Sequence, residues 1–418
     1  MNTIAVIGGG WSGCHTALEL AAAGHQVTMI EKGQHLFHGV SGTFGIRVHK
    51  GPHYPRSSGT REACRRSFVR FCEKYSELIV PVKPAIYSLA RVDSTGHESK
   101  VNADTFGDVC GESTECSRVD ISNFGSKSEL EVAYKLDEPC AVLNPYLKTY
   151  FMEKLSSAGI SIRLNDQVTA VCREGERHHI LTSTCYEAVF DKVVNATGYT
   201  SALPDGLLDN LPIKLDIRYQ ACIALSYTDR CPDASPISFI VMDGWFPCLM
   251  PCLGDPSSRG EYILTHGAYT ILGSFDTAAQ ASSCLSDIAP DFVPSNIRPK
   301  IEEQMERFWP GFTKRFSYQG WKGSVMPKLV TDTEFRSSVV FEADGVIYIF
   351  PGKISNVMEA ADEVLSLIDG SEVVHAAGFG YTRNSELNRN KTEIEKPPVV
   401  KERNTCFLQT HQQLCVKT

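Results

Sequence analysis

The chain has 418 residues and a formal net charge of −8. This length predicts two or three domains or one large discontinuous domain, and the acidic balance argues against nucleic-acid binding. The sequence contains no run of about 18 apolar residues, and its first residues lack the regions of a secretion signal. We therefore expect no membrane span and a cytoplasmic location. The 15 cysteines form no metal-type quartet, so we expect reduced structural thiols and no metal site.

The N-terminal segment predicts a βαβ unit that binds a dinucleotide. The run TIAVIG predicts a buried strand, HTALELAAAG a helix and QVTMIE a second strand. Gly8, Gly10 and Gly13 form a G-x-G-x-x-G pattern between the first strand and the helix, and Glu31 ends the second strand. Such glycines permit a tight turn, the approach of a pyrophosphate and close helix–strand packing. The helix N-terminus favours the pyrophosphate, and the acidic side chain accepts hydrogen bonds from the ribose.

The rest of the chain alternates between helices and strand-rich segments. Helices are predicted over 61–79, 145–158, 297–309 and 356–368, and alternating strands within 217–275. The predicted division gives three parts of a cofactor-binding domain (1–85, 140–215 and 325–382), two parts of an inserted substrate domain (86–139 and 216–324) and a polar tail (383–418).

Two later segments indicate which dinucleotide is bound. VVNATG at 193–198 and GVIYIFPGKISN at 345–356 each combine a hydrophobic strand with a glycine turn. With the N-terminal pattern, they resemble the glutathione-reductase-like FAD fold of the D-amino-acid-oxidase superfamily. This resemblance covers residues 1–370. It implies an α/β fold in which a Rossmann-type FAD-binding domain carries an inserted, mostly antiparallel β substrate domain.

The cofactor implied by this resemblance is FAD. The turn at Ala196, Thr197 and Gly198 then passes near FAD, and the backbone of Val168 holds the adenine. The residues assigned to FAD are Gly8, Gly10, Trp11, Ser12, Gly13, Glu31, Lys32, Ser41, Arg47, Val168, Ala196, Thr197, Gly198, Gly352, Lys353, Ile354 and Ser355.

The late glycine turn, which contains Lys353, resembles the GGK-W-T-T segment of glycerol-3-phosphate and 2-hydroxyglutarate dehydrogenases. A lysine or helix N-terminus there stabilises the negative charge of a reduced flavin. Alternatively, Lys353 is a solvated turn residue. The Gly-Asp motif of aromatic-ring monooxygenases and a second G-x-G-x-x-G pattern are missing from the sequence, which favours an organic substrate as the electron donor.

The stretch FGIRVHKGPHYPR at 44–56 concentrates polar donors. In the family it resembles, this segment returns along the flavin, so His49, His53 and Tyr54 become candidates for proton transfer together with Lys353. Arg47 or Arg56 would bind a carboxylate or phosphate. The alternative is that these side chains only bond the FAD pyrophosphate or a loop carbonyl.

Further substrate candidates come from the predicted insertion and from the segment before the late strand. The complete set of substrate candidates is Arg56, Tyr219, Trp245, His266 and Arg336. For the aromatic members, the alternative is a place in the core.

The sequence therefore predicts an FAD-dependent oxidoreductase. It would oxidise a C–OH or C–NH bond of a small polar substrate by hydride transfer to flavin N5, with oxygen or another acceptor taking the electrons. Two alternatives stay open: a non-redox sugar-nucleotide mutase resembling UDP-galactopyranose mutase, and a flavin-binding scaffold without turnover.

Overall fold

A computed structural model describes most of the chain. The described residues are 1–113, 115–125, 128–198, 216–233, 235–330, 336–343, 345–370, 373–376 and 379–382. The predicted polar tail, 383–418, lies outside them. None of the helices in these ranges combines the length and apolarity that crossing a bilayer requires.

Strands and helices alternate through the N-terminal half, and the strands of the chain form several sheets. The strands are β1 (Thr3–Ile7), β2 (Gln26–Ile30), β3 (Ile46–Arg47), β4 (Ile79–Val80), β5 (Ala85–Ala90), β6 (Ser117–Val119), β7 (Leu130–Leu136), β8 (Cys140–Ala141), β9 (Ser161–Arg163), β10 (Val168–Glu174), β11 (Arg177–Thr182), β12 (Glu187–Phe190), β13 (Lys192–Asn195), β14 (Asp216–Asp229), β15 (Ser238–Met242), β16 (Pro247–Pro251), β17 (Glu261–His266), β18 (Ile271–Phe275), β19 (Phe316–Val330), β20 (Val339–Ala343), β21 (Val346–Phe350), β22 (Val373–Ala376) and β23 (Phe379–Thr382). The helices are α1 (Trp11–Ala22), α2 (Val40–Thr43), α3 (Ser58–Lys74), α4 (Ala103–Gly111), α5 (Tyr146–Ser157), α6 (Gly267–Thr270), α7 (Ala278–Ser286), α8 (Arg298–Phe308), α9 (Phe312–Arg315) and α10 (Val357–Ile368).

The predicted helix over 61–79 has different ends in the structure. α3 begins at Ser58 because the Ser57 side chain accepts a hydrogen bond from the Thr60 N–H and caps the first turn. It ends at Lys74, and a separate 3₁₀ turn follows. The stripe of apolar residues that predicted one helix therefore continues past the end of α3. Periodicity alone does not show where a helix ends.

A six-stranded sheet carries the N-terminal βαβ unit. Its strand order is β20-β21-β13-β1-β2-β9, parallel except for the antiparallel edge pair β20–β21. β1 is predominantly apolar, as expected for a strand covered on both faces. Ile7 at the end of β1 pairs with Ile30 on one side and Asn195 on the other. The carboxyl ends of β1, β2 and β13 therefore meet at one edge, where parallel α/β sheets bind ligands.

A larger sheet forms the second layer and is mostly antiparallel. Its main path is β18-β14-β17-β16-β15-β5-β7-β6, and β19 pairs with β14 along nearly its whole length. β5 and β15 are parallel. Buried aromatic side chains of α8, α9 and β19 pack in the core of this layer: Phe308, Phe312 and Phe316. The sheet takes strands from both predicted insertion segments, while the numbered domain boundaries stay a prediction.

An aromatic cluster fixes the start of α1. The Trp11 ring makes edge or tilted contacts with Phe37, Phe71, Tyr75 and Phe151, with ring centroids 5.2–5.6 Å apart. Each of these side chains is at most 5% exposed. Aromatic pairs add specific contacts to the burial of their surface. The cluster thus holds the N-terminus of α1 in a fixed position relative to the sheet edge.

We expect His15, beside this cluster, to make stability pH-dependent. It is 1% exposed, and its Nδ1 lies 2.6 Å from the Tyr75 hydroxyl oxygen. Burial, together with the charges of Lys74 and Arg70, lowers the pKa of His15 to about 3. Because the folded pKa is below the unfolded one, protonation favours unfolding, and stability is lost as pH falls below about 6.5. Between pH 7 and pH 5 this residue should cost about 2 kcal/mol of unfolding free energy.

The measurement is urea unfolding at pH 7, 6 and 5 for the wild type, His15→Gln and the control His97→Gln. His97 is exposed, so its replacement should leave the pH dependence unchanged. We expect His15→Gln to flatten it. Equal slopes for the wild type and His15→Gln would contradict the assignment.

Candidate active site

The loop between β1 and α1 requires glycine at two positions. Gly8 has φ +106°, and a Cβ there would lie 2.8 Å from the Ala196 carbonyl oxygen. A Cβ on Gly13 would lie 1.9 Å from the Gly8 carbonyl oxygen. The loop therefore packs against the end of β13 and against α1 at distances that exclude side chains. No side chain caps α1, among the described residues, so its first N–H groups stay available to a ligand.

The carboxylate of Glu31 closes the same loop from the end of β2. Its Oε2 accepts a hydrogen bond from the Gly9 N–H at 2.6 Å, and its Oε1 accepts one from the Gly33 N–H at 2.6 Å. Both oxygens keep lone-pair capacity for a further donor. Glu31 and Gly9 line a cavity, so this carboxylate is placed to accept hydrogen bonds from a ligand hydroxyl.

That cavity has a volume of about 760 Å³ and connects the glycine loop with the 44–56 stretch. Most of the residues that the sequence assigned to FAD line this cavity: Gly8, Gly10, Trp11, Ser12, Glu31, Lys32, Ser41, Arg47, Val168, Ala196, Thr197, Gly198, Gly352, Lys353 and Ile354. Gly13 is buried on α1 behind the loop, and Ser355 is buried within a 3₁₀ turn at Ile354–Asn356. The individual contacts of these residues with FAD stay predictions.

Arg47 forms the polar end of the cavity. It is 5% exposed and donates from Nη1 to the Tyr87 hydroxyl oxygen at 3.2 Å. Its Nη2 lies 3.4 Å from His53 Nδ1 and 3.7 Å from Cys248 Sγ. Burial alone lowers the pKa of Arg47, but the neighbouring Tyr87, Cys248 and Glu138 shift it upward overall. Its Nε is buried without a partner among the described residues, so the guanidinium has a donor left for a bound molecule.

His49 and His53 stack beside this arginine. Their ring centroids are 4.7 Å apart with an angle of 18° between the planes, and both line the cavity. Burial lowers the pKa of both imidazoles well below the ordinary value, and the charge of Arg47 lowers it further. Both are therefore neutral at pH 7, so each carries one N–H and one lone pair.

Lys353 lies next to Tyr54. Its Nζ lies 4.7 Å from the centre of the Tyr54 ring and it lines the cavity. Burial, together with the charge of Arg336, lowers the pKa of Lys353 to about 8. Tyr54 packs edge-on against His49 and His53, but is not among the described lining residues. The structure thus brings all four predicted catalytic side chains together.

The predicted substrate residues lie elsewhere. Arg56 is exposed and donates from Nε to Asp243 Oδ2 at 2.6 Å. Tyr219 packs with the hydrophobic cluster of the parallel sheet, while Trp245 is 39% exposed. His266 is buried and caps α6 by accepting from the Ala268 N–H at 3.2 Å. The Arg336 N–H donates to Thr60 Oγ1 at 3.3 Å. None of these five is among the described residues that line the cavity, and their substrate roles stay predictions.

Sequence reasoning missed residues on the wall that faces the glycine loop. Cys248 and Met250 on β16 and Thr265 on β17 line the cavity. Because alternate residues of a strand share a face, the spacing of Cys248 and Met250 was a usable signal. Tyr87 and Glu138, both 0% exposed, lie behind the polar end, and no local motif marks them.

The comparison with protein families decides what this arrangement is. The model of the DAO family, described as FAD dependent oxidoreductase, matches residues 3–381. The chain belongs to this family. It is an enzyme of the FAD-dependent oxidoreductase class, and FAD is its cofactor.

Two relatives with curated descriptions are similar along most of their length. FAD-dependent monooxygenase kojA of Aspergillus flavus is 48% identical over 419 residues, which cover 98% of this chain and 97% of the relative. FAD-dependent monooxygenase FPY4 of Fusarium mangiferae is 28% identical over 369 residues, which cover 88% and 91%.

Solved structures of the family share the fold at low identity. NikD, an unusual amino acid oxidase, matches with a TM-score of 0.65 at 15% identity and covers 92% of this chain and 98% of its own. Glycine oxidase from Bacillus cereus matches with a TM-score of 0.64 at 16% identity and covers 92% and 99%. These matches confirm the predicted α/β class, with a Rossmann-type FAD domain and a β substrate domain.

The residues of this family member fit FAD. The glycine loop leaves backbone N–H groups at the start of α1 uncovered by side chains, which suits a pyrophosphate. Glu31 lines the cavity next to that loop and suits a ribose hydroxyl. The cavity continues past Ala196 and Thr197 to Lys353, so one elongated ligand can contact both ends.

Proposed function

We propose that the chain oxidises a C–OH or C–NH bond of a small polar substrate at the polar end of its cavity. The observation that carries this proposal is the meeting of Arg47, His49, His53 and Lys353 in the cavity that also contains the glycine loop. When bound, FAD supplies the acceptor for the hydride that leaves the substrate carbon. The electrons then pass to oxygen or another acceptor, and we place the enzyme in the cytoplasm.

In this proposal, Arg47 binds and orients the substrate, and the Lys353 ammonium would stabilise the negative charge of the reduced flavin. The Arg47 guanidinium is held by Tyr87 and His53 while its Nε has no partner in the described part of the chain. A fixed donor of this kind favours a substrate oxygen with negative charge or a lone pair. Neutral His49 or His53 takes the proton of the substrate O–H or N–H.

The test is anaerobic mixing of the FAD-loaded enzyme with hydroxy acids, sugars, amino alcohols and amines. A substrate of the proposed class bleaches the oxidised flavin band without any added reductant. If activity requires chemical pre-reduction and leaves the substrate oxidation state unchanged, the sugar-nucleotide mutase alternative is correct. A panel in which no compound changes the flavin spectrum would favour the scaffold.

Monooxygenation is a second candidate, because the relative that is 48% identical is described as a monooxygenase. It differs from simple oxidation in where the oxygen atom goes. Turnover under ¹⁸O₂ would place ¹⁸O in the organic product of a monooxygenase, whereas an oxidase would release it as peroxide. A monooxygenase also reduces the second oxygen atom to water, and the two electrons for this step come from an external reductant or from the organic substrate itself.

We expect the rate of anaerobic flavin reduction to fall as pH rises through about 8, the pKa of Lys353. The ammonium is present below this pKa and lost above it, and its charge favours the reduced, anionic cofactor. Lys353→Arg keeps the charge beyond pH 10, so it should remove the fall of the rate above pH 8, which is the alkaline limb of the pH profile. Lys353→Met should reduce the rate by about 10- to 100-fold at pH 7 and also abolish the limb.

The measurement is stopped-flow reduction from pH 6 to 10 with the wild type, both Lys353 variants and the control Lys300→Met. Lys300 is exposed on α8, so its variant should keep the wild-type limb. A limb near pH 8 that persists in Lys353→Arg would assign the titration to another group.

A further inference from the structure

Two buried side chains behind the cavity form a fixed hydrogen-bond chain. The Tyr87 hydroxyl donates to Glu138 Oε2 at 2.5 Å, and the Lys50 N–H donates to Glu138 Oε1 at 2.7 Å. Tyr87 and Glu138 are both 0% exposed. The single hydroxyl proton of Tyr87 is therefore committed to Glu138, and its oxygen can only accept from other neighbours.

The neighbours of this chain include both Arg47 and His49. Arg47 Nη1 donates to the Tyr87 oxygen at 3.2 Å. His49 Nδ1 lies 3.4 Å from the same oxygen and 3.7 Å from Glu138 Oε2. Burial raises the pKa of Glu138, whereas Arg47, the Tyr87 hydroxyl and the Lys50 N–H favour its ionised form. With Glu138 as a carboxylate, both oxygens nearest to His49 Nδ1 are acceptors, so Nδ1 carries the hydrogen. The lone pair of His49 is then on Nε2, at the ring edge away from the buried pair.

The other histidine has the opposite constraint. Arg47 Nη2 lies 3.4 Å from His53 Nδ1, and a guanidinium only donates. His53 Nδ1 must therefore accept, so the hydrogen of His53 is on Nε2. Because burial lowers the pKa of both imidazoles, each ring is neutral at pH 7 and carries its single hydrogen on one nitrogen.

We propose that the two stacked histidines have opposite tautomers and divided roles: His49 is the base, through Nε2, and His53 is a hydrogen-bond donor to the substrate, through its Nε2–H. Glu138 and Tyr87 are positioning residues, since they fix the His49 tautomer without lining the cavity. The proton of the substrate O–H or N–H forms a bond to His49 Nε2, and its former electron pair stays on the substrate oxygen or nitrogen. This inference rests on the proposed oxidation for its kinetic part only.

Glu138→Gln is the most informative variant, because the hydrogen bonds around residue 138 fix the orientation of the new side-chain amide. The Lys50 N–H requires an acceptor, so the glutamine oxygen faces it and the amide nitrogen faces Tyr87. Tyr87 must then accept from the amide and turn its hydroxyl hydrogen towards His49 Nδ1. His49 would carry its hydrogen on Nε2 and lose its lone pair there.

The first measurement is ¹⁵N NMR of histidine-labelled, FAD-loaded protein without substrate, because ¹⁵N shifts distinguish protonated from unprotonated ring nitrogens. Spectra of His49→Gln and His53→Gln assign the signals. We expect Nδ1–H for His49 and Nε2–H for His53 in the wild type. In Glu138→Gln only His49 should change tautomer, and the control Glu98→Gln, at an exposed position, should change neither.

The second measurement is turnover. We expect Glu138→Gln to lower kcat by about 10³- to 10⁴-fold, as a wrong histidine tautomer does elsewhere, with KM changed only a few-fold. Tyr87→Phe should give a smaller loss, because His49 Nδ1 keeps the nearby carboxylate.

Wild-type His49 protonated on Nε2, or a Glu138→Gln protein with unchanged tautomers, would overturn the inference. If the tautomers are as expected but no C–OH or C–NH compound is oxidised, only the proposed function fails.

Discussion

Gly13→Ala should yield a folded protein that no longer retains FAD. The added Cβ would lie 1.9 Å from the Gly8 carbonyl oxygen, a distance that no packing tolerates, and the obstacle is backbone that cannot rotate away. α1 must then move from the β1 turn, and the N–H groups at its start move with it. We expect FAD binding to weaken by at least about 100-fold, which corresponds to about 2.7 kcal/mol.

The matched control for this substitution is Gly59→Ala. Gly59 is exposed on α3, and a Cβ there would meet nothing within 4 Å. Alanine is the better helix former, so this variant should be neutral or slightly more stable. The ratio of flavin to protein absorbance after purification, and FAD titration of the stripped proteins, measure the effect. A Gly13→Ala protein with wild-type FAD content would show that the loop does not need this close approach.

The cofactor end of the site was predictable because its constraints are local in sequence. Gly8, Gly13 and Glu31 lie on one βαβ unit, so their spacing alone sets which of them meet. The residue type is restricted as well, since only glycine fits at positions 8 and 13. A short pattern therefore carries enough information to predict the cofactor end of the cavity.

The polar end was only partly predictable. The stretch 44–56 was found because its donors are contiguous, but their partners are distant: Tyr87 and Glu138 are 51 residues apart, and Arg47 and Cys248 are 201 apart. Nothing in a strand such as AIYSLA distinguishes a tyrosine that bonds a buried glutamate from one in the core. Long-range pairing of strands decides this, and it depends on the whole fold rather than on a window of sequence.

Long-range contacts also make two arginines of one motif differ. Arg47 and Arg56 are equivalent as sequence, since both are basic and both flank the histidines. In the structure Arg47 is on β3 and lines the cavity, whereas Arg56 forms an ion pair with Asp243 at the surface. The segment between them contains two prolines and Gly51, whose φ is +125°, so the two arginines need not share a direction.

Arg47→Lys should therefore lower kcat/KM by about 100-fold, although the positive charge is kept. A lysine has one nitrogen where Arg47 has three, and it cannot contact Tyr87 and His53 and still present a donor to the substrate. Arg47→Met should lose about 1000-fold, because it also removes the charge that most favours the ionised form of the buried Glu138. Both variants should retain FAD, since the glycine loop is untouched.

Steady-state kinetics with a substrate found by anaerobic reduction measures these losses. Spectral titration of the bound flavin with a substrate-like anion separates binding from catalysis. Arg91→Lys is the control, because Arg91 is 80% exposed and its ion pair, within the described part of the chain, is a long one of 4.0 Å with Glu98. If Arg47→Lys kept wild-type kcat/KM, the guanidinium geometry would have no role in the reaction. If Arg47→Met lost its FAD instead, Arg47 would hold the cofactor rather than the substrate, which is the other role that its sequence context predicted.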